Sequence, residues 1–190
     1  MQSGRRKPRS DALRNRDRLI EAAKEILARG GPGASLEAVA RAAGVGIGTL
    51  YRHFPTREAL FYAVYSHEVE QLIETAARLE NSDDAFEALR TWLHALVGLV
   101  ETKRGMLGTL AVVVTEESKA MYAEVSGRMN QAVGRLVARA QADGALRPDI
   151  TADDVLTTVY ALCYARKPEP DWRAHVLRLV DIFVDGIKAR

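Results

Sequence analysis

Three glycines and a set of hydrogen-bonding side chains stand close together near residue 50, and two kinds of phosphate chemistry suit them. Residues 42–56 read AAGVGIGTLYRHFPT, with Gly44, Gly46 and Gly48 at alternate positions ahead of a threonine, a tyrosine, an arginine and a histidine. Such a cluster can cradle the phosphate of a nucleotide. It can equally form the corner between two short helices, the second of which enters the major groove of DNA.

The elements on either side argue against a nucleotide cradle. Phosphate loops of the dinucleotide and Walker types follow a strand and open a long helix. Here SLEAVARAA predicts a helix before the glycines, and the helix predicted after them, roughly residues 47–53, is short. The G-x-G-x-G spacing matches neither fingerprint, and no Gly-Lys-Ser/Thr follows. The segment is therefore interpreted as a helix-turn-helix.

Each position of the segment has a role in that interpretation. Gly44 supplies the turn, and the later glycines leave the start of the second helix free of side chains. The residues expected to fix the second helix against the first are apolar: Val39, Ala43, Val45, Leu50 and Phe54. The residues left pointing outward are hydrogen-bonding and seek phosphate: Thr49, Tyr51, Arg52 and His53.

Helical patterns continue along the whole chain, and no segment shows the alternation of a strand. Caps are predicted at Ser35, Thr56 and Thr151, the last in a capping box with Asp154, and helix ends at Gly44 and Gly144. The predicted helices are 16–29, 36–43, about 47–53, 57 to about 79, 85–100, about 104–114, 118–143, 152 to about 166 and 172–188. The predicted fold is all-α, with about nine helices.

Composition and charge narrow the function further. The 190 residues are 47% apolar, and no apolar run approaches the ~20 residues of a membrane span. The basic N-terminus has no apolar stretch behind it, and Cys163 is the single cysteine, so we expect a cytoplasmic protein without a disulfide framework. Residues 1–57 hold 12 Lys and Arg against 5 Asp and Glu, whereas the rest hold 15 against 20. Contact between the N-terminal quarter and a polyanion, or merely a solvated basic face, would explain this asymmetry.

The helix-turn-helix segment resembles the DNA-binding domain of the TetR family of transcriptional regulators. AAKEILARGG, the block SLEAVARAAGVGIGTLYRHFPTREAL and the aromatic-rich start of the fourth helix carry the resemblance, which covers about a quarter of the chain. It implies a flexible basic tail over 1–15, a three-helix DNA-binding head over 16–60, and a helical ligand-binding and dimerisation bundle over 61–190. It further implies a homodimeric repressor on a near-palindromic operator, released by a small inducer. An activator of the same fold, or an architectural DNA-binding protein without a ligand, is the alternative.

The resemblance also assigns DNA contacts by position. Thr49, Tyr51 and His53 would touch mainly phosphates, Arg57 would hold a phosphate, and Ser35 would do so at the start of the second helix. Gly46 stands where such regulators often have a serine or a larger polar residue, and apolar Ile47 follows. Fewer side chains are then left to read bases, and Arg52 becomes the candidate for a guanine contact, with a plain phosphate contact or a solvated arginine as the alternative.

Two further contacts are predicted outside the helix-turn-helix. The basic residues Arg5, Arg6, Lys7 and Arg9 would reach an adjacent minor groove or make no specific contact. The last two helices carry apolar stripes suited to a four-helix dimer interface, although burial within one chain competes as an explanation. The stripes comprise Val155, Val159, Leu162 and Cys163, then Val176, Leu179, Val180, Phe183 and Ile187, with Ile182 and Val184 on further faces.

Aromatic, methionine and histidine side chains in the later helices are candidates for the inducer site, and each has core packing as its simpler interpretation. They suit an apolar or aromatic ligand of modest size. The candidates are Trp92, His94, Met106, Tyr122, Met129, Tyr160 and Tyr164. The four histidines lie far apart without metal-ligand spacing, and no nucleophile elbow is present. We therefore expect neither an enzyme nor a metal or cofactor.

Overall fold

The computed structural model describes residues 7–29, 34–110, 116–167 and 169–189, with side chains described for 11–27, 34–108, 124–167 and 169–189. These residues form eight helices and no strand apart from one isolated bridge between Leu146 and Lys188. The helices are α1 Lys7–Arg29, α2 Leu36–Ala42, α3 Ile47–His53, α4 Arg57–Leu79, α5 Ala85–Leu110, α6 Glu116–Ala142, α7 Ala152–Tyr164 and α8 Trp172–Gly186. The prediction of an all-α fold with about nine helices is confirmed.

The chain divides into two compact units. Residues 1–67 and 102–113 contribute to the first unit, and residues 68–101 and 114–190 to the second. In the first unit, α1 packs on α2 and α2 on α3. In the second, α7 packs on both α6 and α8. No helix in the described part of the chain is long and apolar enough to cross a membrane.

Single polar residues start three of the helices as the sequence predicts. The Ser35 hydroxyl accepts a hydrogen bond from the Ala38 amide at 3.1 Å, and the Thr56 hydroxyl accepts one from the Ala59 amide at 3.1 Å. Thr151 and Asp154 form a complete capping box at the start of α7. Each bond satisfies an amide that the first turn of a helix leaves without a partner, so these local signals fix where the helices begin.

Two glycines in the left-handed conformation end helices, again as predicted. Gly44 has φ +67° and Gly144 has φ +68°. After each of them the next amide reaches back to the same helix: Val45 donates to the Ala40 carbonyl and Ala145 to the Ala140 carbonyl, both at 2.9 Å. This bond closes the helix and reverses the chain, and it requires a residue without a Cβ penalty at positive φ.

Two predicted helix boundaries were wrong. α1 begins at Lys7, so residues 7–15 of the expected flexible tail are helical. Pro8 is compatible with a first turn, no breaker follows it, and Arg14 pairs with Asp11 one turn away. α5 runs unbroken from Ala85 to Leu110 instead of ending near residue 100, because residues 101–103 include no helix breaker. The prediction that the later helix extends to 114 lies partly outside the described residues.

The cores of both units are built from the predicted apolar faces. Side chains buried in the first unit include Leu19, Ala23 and Leu27 of α1, Val39 and Ala40 of α2, and Leu50 of α3. Side chains buried in the second unit include Leu93, Leu96, Leu136, Val155, Val159, Val176 and Val180. Helix faces with three- and four-residue spacing therefore supply both cores.

Candidate nucleic-acid interface

The short helix α3 has one anchored side and one open side. Leu50 is 1% exposed and Phe54 is buried just beyond the C-terminus of the helix. The guanidinium of Arg16 lies over the Phe54 ring, 5.6 Å from its centroid. By contrast, Tyr51 is 47% exposed, and Arg52 is exposed beside it. Anchoring by Leu50 and Phe54 thus presents the neighbouring polar side chains to solvent, as a helix that enters a groove requires.

Three of the residues predicted to contact phosphate line one cleft. Ser35, Tyr51 and Arg57 come from the start of α2, from α3 and from the start of α4. Their hydroxyl, phenol and guanidinium are all hydrogen-bond donors that suit a phosphate oxygen. The other lining residues are Leu27, Ala34, Leu36 and Glu37. Because Glu37 puts one carboxylate in the same cleft, a phosphate held there depends on Arg57 for its positive charge.

Arg52 lies back along its own helix. Its Nε donates to the Gly48 carbonyl at 3.1 Å, and its Nη2 donates to the Thr49 hydroxyl at 3.4 Å. These bonds occupy two of the five guanidinium N–H groups, so the remaining donors can still reach a phosphate or a base. They also give Thr49 a role that the sequence interpretation missed, since its hydroxyl orients Arg52. The i, i+3 and i, i+4 spacing of the three residues is the signal that could have shown this.

The predicted interface leaves its basic side chains without acidic partners. Neither Arg52 nor Arg57 forms an ion pair with a carboxylate in the part of the chain whose side chains are described. His53 is half-buried, with its ring 6.3 Å from that of Phe54. Arg5 and Arg6, and the side chains of Lys7 and Arg9, lie outside the described residues, so their predicted minor-groove contact stays a prediction.

The candidates for an inducer site have different surroundings. Trp92 is fully buried, and its indole N–H donates to the Leu72 carbonyl at 2.9 Å, so core packing and one hydrogen bond account for it. The Tyr160 hydroxyl faces Met129 Sδ at 4.0 Å, and burial raises the pKa of Tyr160 to about 12. Met129 and Tyr160 are therefore neighbours, as a shared site would require. Tyr164 is exposed, and the side chain of Tyr122 lies outside the described residues.

His94 belongs to a polar cluster that the sequence interpretation missed. Its Nε2 lies 2.8 Å from Asp181 Oδ1, and Arg90 donates to Asp181 at 3.1 Å and to Asp185 at 2.6 Å. Arg90 also pairs with Glu87 at 3.1 Å. Partial burial acts to raise the pKa of Asp181, but the bonds from His94 and Arg90 outweigh it and hold this pKa below its usual range. The cluster joins α5 to α8, and a sequence separation near 90 residues hides it from local patterns.

Met106 is buried and belongs to the first unit, whereas Trp92, His94, Met129, Tyr160 and Tyr164 belong to the second. No group of three or more His, Cys, Asp or Glu residues in the described portion is placed to hold a metal ion.

The apolar stripes of α7 and α8 chiefly form the core of the single chain. Residues buried there are Val155, Val159, Cys163, Val176, Val180, Val184 and Ile187, whereas Leu162, Leu179 and Phe183 are half-buried. The competing explanation, burial within one chain, thus holds for most of the residues named. Val184 is not on a second exposed face as expected, because it turns into this core. Ile182 is 62% exposed and remains available for a partner.

Comparisons with known proteins agree with this geometry. Residues 19–64 match the family model of bacterial regulatory proteins of the tetR family, and residues 84–189 match the C-terminal domain of SbtR-like transcriptional regulators. The crystal structure of the TetR transcriptional regulator SCO0520 from Streptomyces coelicolor is 35% identical, covering 92% of this chain and 98% of that chain, with a TM-score of 0.75. The structure of NalD from Pseudomonas aeruginosa, the secondary repressor of the MexAB-OprM multidrug efflux pump, is 25% identical, covering 95% and 98%, with a TM-score of 0.56.

A third relative extends the agreement to curated regulators. The HTH-type transcriptional regulator UidR of Escherichia coli is 25% identical over 147 residues, which is 74% of this chain and 74% of UidR. Two family models together span the helix-turn-helix and the helices after α4, and α3 presents the expected polar face. The chain belongs to the TetR family, and it is a DNA-binding transcriptional regulator rather than an enzyme.

Proposed function

We propose that this regulator is a repressor that binds a near-palindromic operator as a homodimer and is released by a small apolar or aromatic inducer. The observation that carries the proposal is the cleft of Ser35, Tyr51 and Arg57 beside the open side of α3. It combines phosphate-binding donors with a helix short enough for a major groove. Repression is favoured because NalD, which resembles this chain over nearly its whole length, is a repressor.

The DNA contacts of this proposal fall into two groups. Ser35, Tyr51 and Arg57 would hold phosphates and set the register, because they line one cleft. Thr49, Arg52 and His53 would lie nearer to the bases, with the free guanidinium donors of Arg52 directed to a guanine or a phosphate. The head would comprise residues 16–60, and the ligand-binding and dimerisation bundle 61–190.

The homodimer would form through α7 and α8. Ile182 is the most exposed large apolar side chain on α8, and Leu179 and Phe183 beside it are only half-buried. Tyr164 at the end of α7 is also exposed. Exposed alanines at 161, 165 and 174 leave room for two helices of a second copy to approach closely. Two-fold symmetry would then place the recognition helices about 34–36 Å apart, one turn of B-form DNA.

The inducer would bind in the second unit, near Met129 and Tyr160. A polarisable thioether facing a half-buried phenol suits an aromatic or apolar ligand that offers one polar group. The other candidates for this site within the second unit remain His94, Trp92, Tyr122 and Tyr164. An inducer that favours the conformation misfitting the operator would lower operator affinity roughly 5- to 150-fold, the range of typical allosteric coupling.

The decisive experiment is selection of duplexes from a randomised pool by the full-length protein. We expect enrichment of a near-palindrome whose half-site centres lie about one helical turn apart. The selected duplex, placed across a promoter, is expected to lower transcription in vitro when the protein is added. Equal affinity for random DNA would contradict the proposal and indicate an architectural protein, and increased transcription would indicate an activator.

Dimerisation is tested separately by sedimentation of variants. Ile182→Glu is expected to shift the protein towards the monomer, because a charge would then lie in an apolar interface. Leu13→Glu is the matched control, since Leu13 is equally exposed but lies on α1. A dimer unaffected by Ile182→Glu would remove α8 from the interface.

A further inference from the structure

We infer that the protein reads its operator through an apolar contact, in which Ile47 packs against the 5-methyl group of a thymine in the major groove. Gly46 and Gly48 would let the backbone around Ile47 approach the bases. The inference rests on the proposed function and names the base that this site recognises.

Ile47 is the first residue of α3, and it is 37% exposed although the helix has a buried side available. Tyr51, one turn later, is exposed on the same face. The exposed side of α3, which lies beside buried Leu50, therefore presents a branched aliphatic side chain next to an aromatic one. The N-terminal residues of a recognition helix contact the base edges, so Ile47 lies at a position that can recognise a base.

Glycines flank Ile47 on both sides, so no side chain covers the backbone at positions 46 and 48. A Cβ added at Gly46 or at Gly48 would meet no atom within 4 Å, so nothing in the described protein requires a missing side chain there. Neither glycine has a positive φ. A glycine inside a helix is unfavourable relative to alanine, so Gly48 weakens α3 without relieving a contact within the protein. The open space beside Gly48 suits the close approach of the DNA bases.

Two polar acceptors of the first turn are already engaged within the helix. The Gly48 carbonyl accepts from Arg52 Nε, and the Thr49 hydroxyl accepts from Arg52 Nη2. The methyl groups of Ile47 are thus the apolar surface that the start of α3 offers to a base pair. In the major groove thymine alone presents a methyl group, so an aliphatic side chain at this position selects thymine.

The expected change in affinity follows from the contribution of one methyl group. Removing one buried methyl from an apolar contact weakens binding by about fourfold, from the transfer free energy of such a group. A symmetric duplex with both half-sites changed would lose roughly the square of that factor, because each protomer makes the contact once.

The test uses the duplex selected by the full-length protein, with each symmetric pair of thymines replaced in turn by deoxyuridine. The wild type is expected to lose about 16-fold at one pair and little elsewhere. Ile47→Ala is expected to bind the thymine duplex more weakly and to show no loss at that pair. Leu13→Ala, which truncates an exposed leucine on α1, is expected to keep the full sensitivity to uridine.

Gly48→Ala tests the close approach independently. We expect a thermal unfolding midpoint equal to or above that of the wild type, because the added methyl meets no atom and favours the helix. Affinity for the selected duplex is expected to fall by an order of magnitude or more, since the methyl would separate α3 from the bases. Unchanged affinity in this variant would overturn the role assigned to the glycine.

The outcomes separate this inference from the proposed function. A selected duplex whose thymines all tolerate uridine would overturn the contact and leave the repressor proposal intact. The same follows if Ile47→Ala keeps the sensitivity of the wild type. Failure to select any duplex over random DNA would overturn the proposed function, and the inference would fall with it.

Discussion

Helices α3 and α8 both expose an isoleucine to solvent, but the partners of their charged side chains differ. On α8, Asp181 and Asp185 bind Arg90 of α5, and Arg173 binds Glu101 of α5 at 2.5 Å. On α3, Arg52 bonds only to its own helix within the part of the chain whose side chains are described. The charged groups of α8 thus hold two helices of one chain together, whereas those of α3 remain available.

This difference separates charges that stabilise the fold from charges that bind a partner. A guanidinium already matched by two carboxylates gains little from a phosphate, while an unmatched one gains a charge-assisted bond. Loss of a paired arginine should therefore appear in the free energy of unfolding, and loss of an unpaired one in DNA affinity. Substitutions of a paired and of an unpaired arginine therefore test this distinction, because each should change only one of the two quantities.

The largest effect is expected from Arg57→Ala. For each protomer of the bound dimer, affinity for the selected duplex should fall roughly 10- to 100-fold, because a charge-assisted hydrogen bond to a phosphate is lost. The slope of log affinity against log salt should fall by about one unit for each protomer. The unfolding free energy should stay unchanged, since Arg57 has no ion pair among the described side chains. Titration of the duplex at several salt concentrations measures both quantities.

Arg173→Ala is the matched control for Arg57→Ala. It removes the same charge from the second unit and breaks a pair with Glu101. Its DNA affinity and salt slope should equal those of the wild type. An equal fall in slope for both variants would show that net charge alone governs binding, and the cleft would lose its assigned role.

Arg90→Met should produce the reverse result. The Arg90 side chain is 20% exposed and binds Glu87, Asp181 and Asp185, so its removal leaves carboxylates without their partner. Methionine keeps an apolar stem over Phe86. We expect a loss of about 1–2 kcal/mol in unfolding free energy, measured with urea, and unchanged affinity of the folded protein for the duplex. A stability equal to the wild type would show that the cluster contributes nothing.

The sequence predicted the fold because its boundaries depend on single residues. Ser35, Thr56 and Thr151 accept the first free amides of their helices, and Gly44 and Gly144 reverse the chain. Each signal acts within a few residues, so one sequence is sufficient to find it. The sequence pattern divided α5 into two helices, although the helix is continuous from Ala85 to Leu110. No capping residue or glycine turn marks either helix end near residue 100.

The site was predictable only in part. Positions of the motif located Ser35, Tyr51 and Arg57, and the structure brings these three to one cleft. The pairing of Arg90 with α8 was not predictable, because residues about 90 positions apart meet only through tertiary packing. For a related reason the apolar stripe of α8 left two explanations open: periodicity reveals a buried face but not whether the same chain or a second copy buries it.

Two glycines with the same backbone allow a finer comparison between the units. Gly44→Ala and Gly144→Ala should each cost about 1 kcal/mol of unfolding free energy, the penalty of a Cβ at positive φ. A Cβ at Gly44 would also meet Arg18 Nη2 at 2.5 Å, but this flexible end can move away. Only Gly44→Ala should weaken DNA binding, because Gly44 sets the angle between α2 and α3.

Gly127→Ala in α6 provides the control for the glycine pair. No atom lies within 4 Å of its added Cβ, and its φ is not positive, so alanine should stabilise the protein by about 0.5–1 kcal/mol. Urea unfolding of the three variants separates the positive-φ penalty from helix propensity. Equal weakening of DNA binding by Gly44→Ala and Gly144→Ala would show a general loss of structure instead of a local change at the turn.

The smallest effect concerns the acid stability of the α5–α8 cluster. The pKa of Asp181 is held below its usual range despite partial burial, by hydrogen bonds from His94 and Arg90. A depressed folded-state pKa contributes stability that is present above the unfolded-state pKa of about 4 and is lost as the pH falls through the folded value. Because the side chain is 39% exposed, solvent screening limits this contribution to a few tenths of a kcal/mol.

Asp181→Asn should therefore be less stable than the wild type at neutral pH, and the difference should shrink towards zero near pH 3. Urea unfolding at the two pH values measures it, with Asp143→Asn as an exposed control in the same unit. A difference that persists in acid would mean that Asp181 acts through the shape of its hydrogen bonds and not through its charge. In that case α8 would be held by packing, and the contrast with the unpaired charges of α3 would rest on Arg90 alone.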